Sequence, residues 1–243
     1  RARRMPRSPD PVINLYTQRL NHYTERVAAA LALKGLAFER VVSDDPEAIK
    51  LWSPIERTLP MIEIDGRRKT DSQAIVVWLE ELYPEPPLLS RDVKLAETQR
   101  NLATWSDSSF IWYWNRWRVA RYPQPGDEAP VDAGLISRLM ERVGISLGQT
   151  PSSRADAREF EIIGELEDRL TDLVGFLRDR PFFHSDEPSI ADLSVYAMLR
   201  VLQTGPIPRC EQAIAERPSL AAFIERMNDR IASVERRDLD AGP

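Results

Sequence analysis

Two pairs of neighbouring residues, Leu59-Pro60 and Asp71-Ser72, carry the clearest chemical signal in the 243-residue chain. Pro60 stands directly before the alternating apolar segment Met61, Ile62, Ile64, which runs into an Asp65-Gly66 turn. Proline has no N–H to give a central strand, so Pro60 marks a strand entrance. The Leu59-Pro60 bond is also of the one kind for which a cis peptide is cheap, about 0.5–1 kcal/mol above trans. After the turn, Thr70-Asp71-Ser72 precedes the run Ala74-Ile75-Val76-Val77-Trp78-Leu79, which predicts a helix opened by small oxygen-bearing residues that cap N-termini. A helix start of this kind offers unpaired N–H groups to an anion. Asn21 closes the first apolar segment and suits a helix cap or a turn. Its amide can donate a hydrogen bond but cannot serve as a general base.

Composition removes many alternatives. The single cysteine, Cys210, forms no internal disulfide and fits a reducing compartment, hence a cytoplasmic setting. With only His22 and His184 beside it, neither a cysteine-based nor a histidine-rich metal site is expected. A formal net charge of −5 argues against general nucleic-acid binding, which needs basic surface to neutralise phosphates. No Gly-rich phosphate loop and no Gly-x-Ser-x-Gly elbow occurs. No apolar run approaches the ~20 residues of a membrane-spanning helix. Arg1 to Arg7 is basic but is followed by no apolar segment, so no signal peptide is expected, and Met5 reads as a native start.

The elements that must position these residues follow from the apolar patterning. Val12 to Tyr16 reads as a strand, Val27 to Lys34 as a helix stopped at Gly35, and Ala37 to Val42 as a second strand, parallel to the first if the helix is a crossover. Asp45-Pro46 opens a short irregular or helical stretch through Trp52, and then come the strand from Met61, a short strand at Arg67 to Lys69, and a helix from Ser72 to Tyr83. Pro84-Glu85-Pro86-Pro87 stops that helix and stiffens a linker. Beyond it the period is helical: Val93 to about Tyr122, Ala133 to Leu147, Arg154 to Arg180, a helix opened by Ser189-Ile190-Ala191-Asp192 in the pattern of a capping box, and a last helix around Leu220 to Met227, with a frayed tail from Arg236.

Leu-Pro, strand, Asp-Gly turn and Asp-Ser-x-Ala-Ile, in that order, together with the later Ser-x-x-Asp box, resemble the glutathione transferase family, in its serine/theta-like bacterial type. The resemblance spans Val12 to about Ala232. It implies a thioredoxin-like α/β N-terminal domain (12–83), a linker (84–92) and an all-α C-terminal domain (93–235). It implies glutathione as co-substrate, held through the backbone of Leu59 beside a cis Pro60, with Asp71 and Ser72 on the γ-glutamyl end. It further implies a cytoplasmic homodimer that conjugates glutathione to small hydrophobic electrophiles, in detoxification, with no metal, nucleic acid or membrane partner.

Such chemistry needs a thiolate, and a free thiol has a pKa of about 8.5. In the family a Ser, Tyr or Cys after the first strand supplies the donor. In this sequence Asn21 occupies the serine position. Three outcomes follow: Asn21 donates to the thiolate, a neighbouring hydroxyl (Tyr16, Thr17, Tyr23 or Thr24) replaces it, or the thiol is poorly activated and the protein only binds. His22 stands where the family has proline and is expected to be a surface or capping residue. The lack of cysteine here argues against thiol exchange. Other glutathione-dependent reactions (isomerisation, ether cleavage, peroxide or disulfide reduction) and a non-catalytic interaction protein are the alternatives. On the long helix, Trp105 and Trp112 share one face, while Phe110, Trp114 and Trp117 line another. Core packing accounts for most of these rings, with a substrate site or subunit interface for the rest, and Arg116, Arg118 and Arg121 lie among them.

Overall fold

The computed structural model describes residues 11–18, 21–121, 154–205, 207 and 209–240, with the side chains of 110–112, 114, 117–121, 154–160 and 234–240 left aside. The predicted helix from Ala133 to Leu147, and the side chains of Phe110, Trp112, Trp114, Trp117, Arg118 and Arg121, lie outside the described residues.

The N-terminal part is a β-α-β unit followed by a β-β-α unit. It comprises β1 (Ile13–Thr17), α1 (His22–Leu33), β2 (Glu39–Val42), the short α2 (Pro46–Trp52), β3 (Met61–Ile64), β4 (Arg67–Thr70) and α3 (Ser72–Leu82). The sheet order is β2-β1-β3-β4. Strands β1 and β2 are parallel, as the crossover helix requires, while β3 runs antiparallel to β1 and pairs Tyr16 with Met61 and Ile13 with Ile64. The β3–β4 turn places Asp65 and Gly66 both at positive φ, 49° and 79°, the geometry that makes Asp-Gly a two-residue hairpin turn. Strand β1 has the half-buried alternation of a sheet with one core face: Ile13, Leu15 and Thr17 are buried and Asn14 and Tyr16 are not.

Helix α1 is buried on nearly every side, from Val27 through Leu33. Its Ala28-Ala29-Ala30 run allows close approach of neighbouring elements, and α1 packs on α3 and on the helices of the C-terminal part. It ends as its sequence predicts: Gly35 takes φ 68°, and the Leu36 N–H returns to the Leu31 carbonyl at 3.0 Å.

The C-terminal part consists, among the described residues, of α4 (Val93–Arg121), α5 (Arg154–Leu177), α6 (Ile190–Thr204), α7 (Cys210–Ala215) and α8 (Pro218–Asp240). The short α7 has no counterpart in the sequence reading. The tail also corrects that reading, because α8 continues through Asp240 instead of fraying from Arg236. No glycine or proline interrupts the chain before Gly242, and Glu, Arg, Asp and Leu all tolerate a helix. The capping box forms at the start of α6: Ser189 Oγ accepts from the Ala191 N–H, and Asp192 reaches back to the Ser189 N–H at 2.8 Å. The linker is tied down by the buried Lys34, whose Nζ donates to the carbonyls of Tyr83 (2.6 Å) and Pro86 (3.1 Å) and pairs with Glu80 at 2.6 Å. The result is a thioredoxin-like α/β unit joined to an all-helical unit. No helix among the described residues is long and apolar enough to cross a membrane.

Candidate functional site

The Leu59-Pro60 peptide is cis. Both residues are buried, and they form one wall of a cleft of about 550 Å³ where β3 begins. Asn21, Asp71 and Ser72 line the same cleft, so residues separated by 50 positions in the chain converge on one place. Two neighbours produce this convergence. Strand β1 delivers Asn21 to the start of α1 beside β3, and the β3–β4 hairpin returns the chain to the start of α3. Gln18, Tyr23, Ile49, Arg57, Thr58, Gln73 and Asp107 complete the lining, and none of them was singled out as a binding residue from the sequence except Tyr23, as a hydroxyl alternative.

Asn21 is the N-cap of α1, with Oδ1 accepting from the N–H groups of Tyr23 (2.9 Å) and Thr24 (3.3 Å). Its Nδ2 donates to the Leu59 carbonyl at 3.1 Å, stitching the helix start to the cis peptide. A carboxamide carries two N–H donors, so this bond uses one and leaves a second. Among the described residues, nothing accepts from the Leu59 N–H.

The hydroxyls near Asn21 separate by what they already do. Thr17 Oγ1 donates its only proton to the Gln18 carbonyl at 2.8 Å. The Thr24 proton must then go to Thr17 Oγ1, 2.5 Å away, so this buried pair has no proton left for a ligand. Tyr16 packs its ring on Trp52, 5.0 Å between centroids, and is not part of the cleft wall. Tyr23 does line the cleft. Burial pushes its hydroxyl pKa up against the opposing pull of Arg26, so the phenol keeps its proton at neutral pH.

His22 overturns its expected surface position: it is 2 % exposed, stacked 3.8 Å from the Tyr23 ring, with Nε2 3.8 Å from Asp107 Oδ1. Burial first, and Arg26 second, lower its pKa to about 3, so the imidazole is neutral and carries no general-base duty suited to neutral pH. The cause lies in topology. Asp107 of α4 reaches the first turns of α1 at His22 and Arg26, and nothing near His22 in sequence announces that neighbour.

At the other end of the cleft, Asp71 adopts φ 66° and caps α3 by accepting from the Ala74 N–H at 2.8 Å. Aspartate tolerates that left-handed backbone better than most residues. Ser72 Oγ accepts from Arg26 Nη1 at 3.2 Å. Arg26 also pairs through Nη2 with Asp107 Oδ1, and Gln73 Nε2 donates to the other Asp107 oxygen at 3.2 Å. Arg26 is fully buried, and burial lowers its pKa to about 10, which leaves it cationic at neutral pH. It sits on the apolar face of α1, one turn before Ala30. A lone charge on an otherwise apolar face was the available clue to this cluster.

On the aromatic helix, two rings are described. Trp105 meets Phe176 edge-on at 5.7 Å and Tyr113 donates its hydroxyl to the Glu165 carbonyl at 2.9 Å, so both described rings pack on α5. Arg116 pairs with Glu165 at 3.4 Å. Among the described residues no cluster of His, Cys, Asp and Glu is suited to hold a metal ion.

Known proteins supply the remaining context. Residues 15–87 match the family model described as glutathione S-transferase, N-terminal domain, and residues 166–227 match the glutathione S-transferase C-terminal domain. Glutathione S-transferase Z1 of Arabidopsis thaliana is 36% identical over 94 residues, covering 37% of this chain and 42% of that protein. Maleylacetoacetate isomerase of Pseudomonas aeruginosa is 35% identical over 100 residues, covering 37% of this chain and 47% of that protein. The chain thus spans less than half the length of these curated relatives. A crystal structure of a glutathione S-transferase from Methylobacterium radiotolerans in complex with glutathione sulfonate superposes with a TM-score of 0.62 at 21% identity, covering 91% of this chain and 93% of that one.

Proposed function

From the premise that this chain belongs to the glutathione S-transferase family, we propose that it binds glutathione in the cleft at Leu59-Pro60 and attaches the tripeptide through its sulfur to the electrophilic carbon of a small hydrophobic compound. The thiol gives up its proton as the carbon–sulfur bond forms and, where the carbon carries one, a leaving group such as chloride departs. The observation that carries this reading is the meeting of Asn21, Leu59, Pro60, Asp71 and Ser72 around one cleft. The groups present fit the tripeptide. The Leu59 N–H suits its central carbonyl. The start of α3 suits the γ-glutamyl end, with the Asp71 carboxylate toward the ammonium and the Ser72 hydroxyl toward the carboxylate. Arg57, exposed and without an ionic partner among the described residues, suits the glycyl carboxylate.

Glutathione supplies the nucleophilic sulfur, and the chain's task is to favour the thiolate. Asn21 contributes the second N–H of its amide, held in direction by the bond of the first to the Leu59 carbonyl. The start of α1 adds the positive end of its dipole, and both act in a partly dehydrated wall. Thr17 and Thr24 drop out because their protons are engaged. Of the four hydroxyl alternatives to Asn21, Tyr23 is the one that lines the cleft.

A specific observation favours a second reading, a glutathione-binding protein without turnover: Asn21 already serves as helix cap and as tie to Leu59, duties that suffice to explain the residue. Isomerisation is kept open by the similarity to a maleylacetoacetate isomerase. Retention on immobilised glutathione followed by a conjugation assay with a chlorinated aromatic separates these readings. Conjugation that falls at least tenfold in Asn21→Ala, with affinity little changed, supports the amide as donor. An unchanged rate moves that role to Tyr23, retention without turnover favours the binding protein, and no retention removes the glutathione reading. Light scattering on the eluted protein tests the homodimer that the family implies.

A further inference from the structure

We infer that Thr17 and Thr24 are positioning residues whose hydroxyls fix the start of α1 against the sheet and so aim the second N–H of Asn21 at the glutathione sulfur, an inference that rests on the amide-donor reading above. The Asn21 carboxamide bridges two bodies. Its Oδ1 is held by the Tyr23 and Thr24 N–H groups of α1, and its Nδ2 by the Leu59 carbonyl at the entrance of β3. Strand β3 is paired to β1, with Met61 opposite Tyr16, so that carbonyl moves with the sheet. The direction of the remaining N–H is therefore set by the offset between α1 and the sheet.

The hydrogen bond between the two threonine hydroxyls crosses that gap. Thr24 belongs to the helix turn whose N–H groups hold the amide oxygen. Thr17 ends β1, and its own carbonyl accepts from the Ser43 N–H at 2.9 Å, so the sheet side of the tie is anchored in turn. Since Thr17 gives its proton to the Gln18 carbonyl, the hydroxyls form a directed chain from Thr24 through Thr17 to Gln18. Both threonines are buried. Packing alone does not require hydroxyls there, because valine has the same shape and replacing both partners of a buried hydrogen bond by such groups is nearly neutral. Gln18 is half-buried, so water can take over its carbonyl. What valine lacks is direction. Apolar contacts are individually weak and non-directional, whereas a hydrogen bond to sulfur weakens steeply as its angle falls toward ~120°.

Ultraviolet titration of the thiolate of bound glutathione tests this, with S-methylglutathione, which has no thiol proton, as the measure of binding apart from activation. The wild type is expected to hold the bound thiol below the free value of about 8.5. Thr17→Val should raise the bound value by about one unit, a tenfold loss of thiolate, and Thr24→Val by about half a unit. Thr17→Ser and Thr24→Ser keep the hydroxyls and should behave as wild type. Affinity of the threonine variants for S-methylglutathione should change by less than about twofold, and Thr17→Val should add nothing in an Asn21→Ala background. A folded Thr17→Val with the wild-type thiol pKa, or one that loses S-methylglutathione affinity as steeply as it loses thiolate, overturns the inference. If Thr17→Val does not fold, Thr24→Val decides: a raised thiol pKa supports the inference, and an unchanged one overturns it. An effect of Asn21→Ala without one of Thr17→Val refutes this inference alone. No effect of Asn21→Ala refutes the amide-donor reading and this inference with it, and failure to bind either peptide refutes the glutathione reading beneath both.

Discussion

Two helix starts in this protein use the same pair of residue types and spend them differently. At α6, Asp192 and Ser189 are buried, and the Asp192 carboxylate accepts from the Phe183 N–H (2.7 Å), the Ser189 N–H (2.8 Å) and the Ser189 hydroxyl (2.8 Å). At α3, Asp71 is exposed and gives one oxygen to its own cap, while Ser72 receives a bond from Arg26 and keeps its proton. The first start is saturated from within and the second has capacity left over. Unspent donors and acceptors facing a cleft, and not the Ser/Asp pair itself, mark a binding site.

The contrast breaks most visibly at the saturated start. Asp192→Ala strands two backbone N–H groups and a hydroxyl in the interior, and should cost about 3 kcal/mol of unfolding free energy. Chemical denaturation measures this, and a loss below about 1 kcal/mol would show that the box is not fully engaged. Ligand affinity per folded molecule should be unaltered.

The second test uses proton linkage. Burial raises the Asp192 pKa from 3.8 to about 6, and burial together with Arg26 lowers that of His22 from 6.5 to about 3. Between pH 6 and 4 the unfolded chain holds an extra proton on His22, while the native chain holds an extra one on Asp192. The two contributions to the slope of stability against pH therefore cancel. His22→Gln removes the first, so that variant should gain stability on acidification from pH 6 to 4, by at most about 1.4 kcal/mol per pH unit. Asp192→Asn removes the second and should lose stability over the same window with the opposite slope. Denaturation at several pH values reads both, and parallel profiles for the two variants would contradict the assignment.

Legibility from sequence follows the same division. Local signals were sufficient for the capping box, the Asp65-Gly66 turn, the stop at Gly35 and the oxygen-bearing start of α3 capped by Asp71, since each is decided by residues within a few positions. The parallel β1–β2 pairing was also legible, because a crossover helix leaves little choice. His22, Arg26 and Asp107 were not. Their roles depend on Asp107 of α4 reaching the start of α1, and 81 positions separate Arg26 from Asp107. Lys34 was hidden for a similar reason: only the folded linker brings the Tyr83 and Pro86 carbonyls to its ammonium.

A smaller effect sharpens the unsaturated start. Asp71→Asn keeps the cap oxygen and a residue type that accepts positive φ, and changes only the charge. Glutathione affinity should fall by about 1 kcal/mol, roughly fivefold, as a charge-assisted bond to the ammonium becomes a neutral one. The melting temperature should stay within about a degree of the wild type. If stability falls while affinity holds, Asp71 belongs with Asp192 as a cap and nothing more.

The smallest effect is expected at Arg57, on the far rim of the cleft. Its side chain is exposed, and its own backbone N–H is bound to the Ser53 carbonyl at 2.9 Å, so the side chain is not needed to hold the loop. An ion pair between this guanidinium and the glycyl carboxylate would lie in water, where such pairs contribute about 0.5 kcal/mol. Arg57→Ala should therefore weaken glutathione binding about twofold, and the difference from wild type should vanish as salt is raised. Titration at low and high ionic strength measures this. A loss of tenfold or more that salt does not diminish would mean that this rim closes over the ligand and excludes solvent. The cleft would then hold glutathione at both ends through desolvated contacts, and the division between a spent and an unspent helix start would extend to the loop before β3.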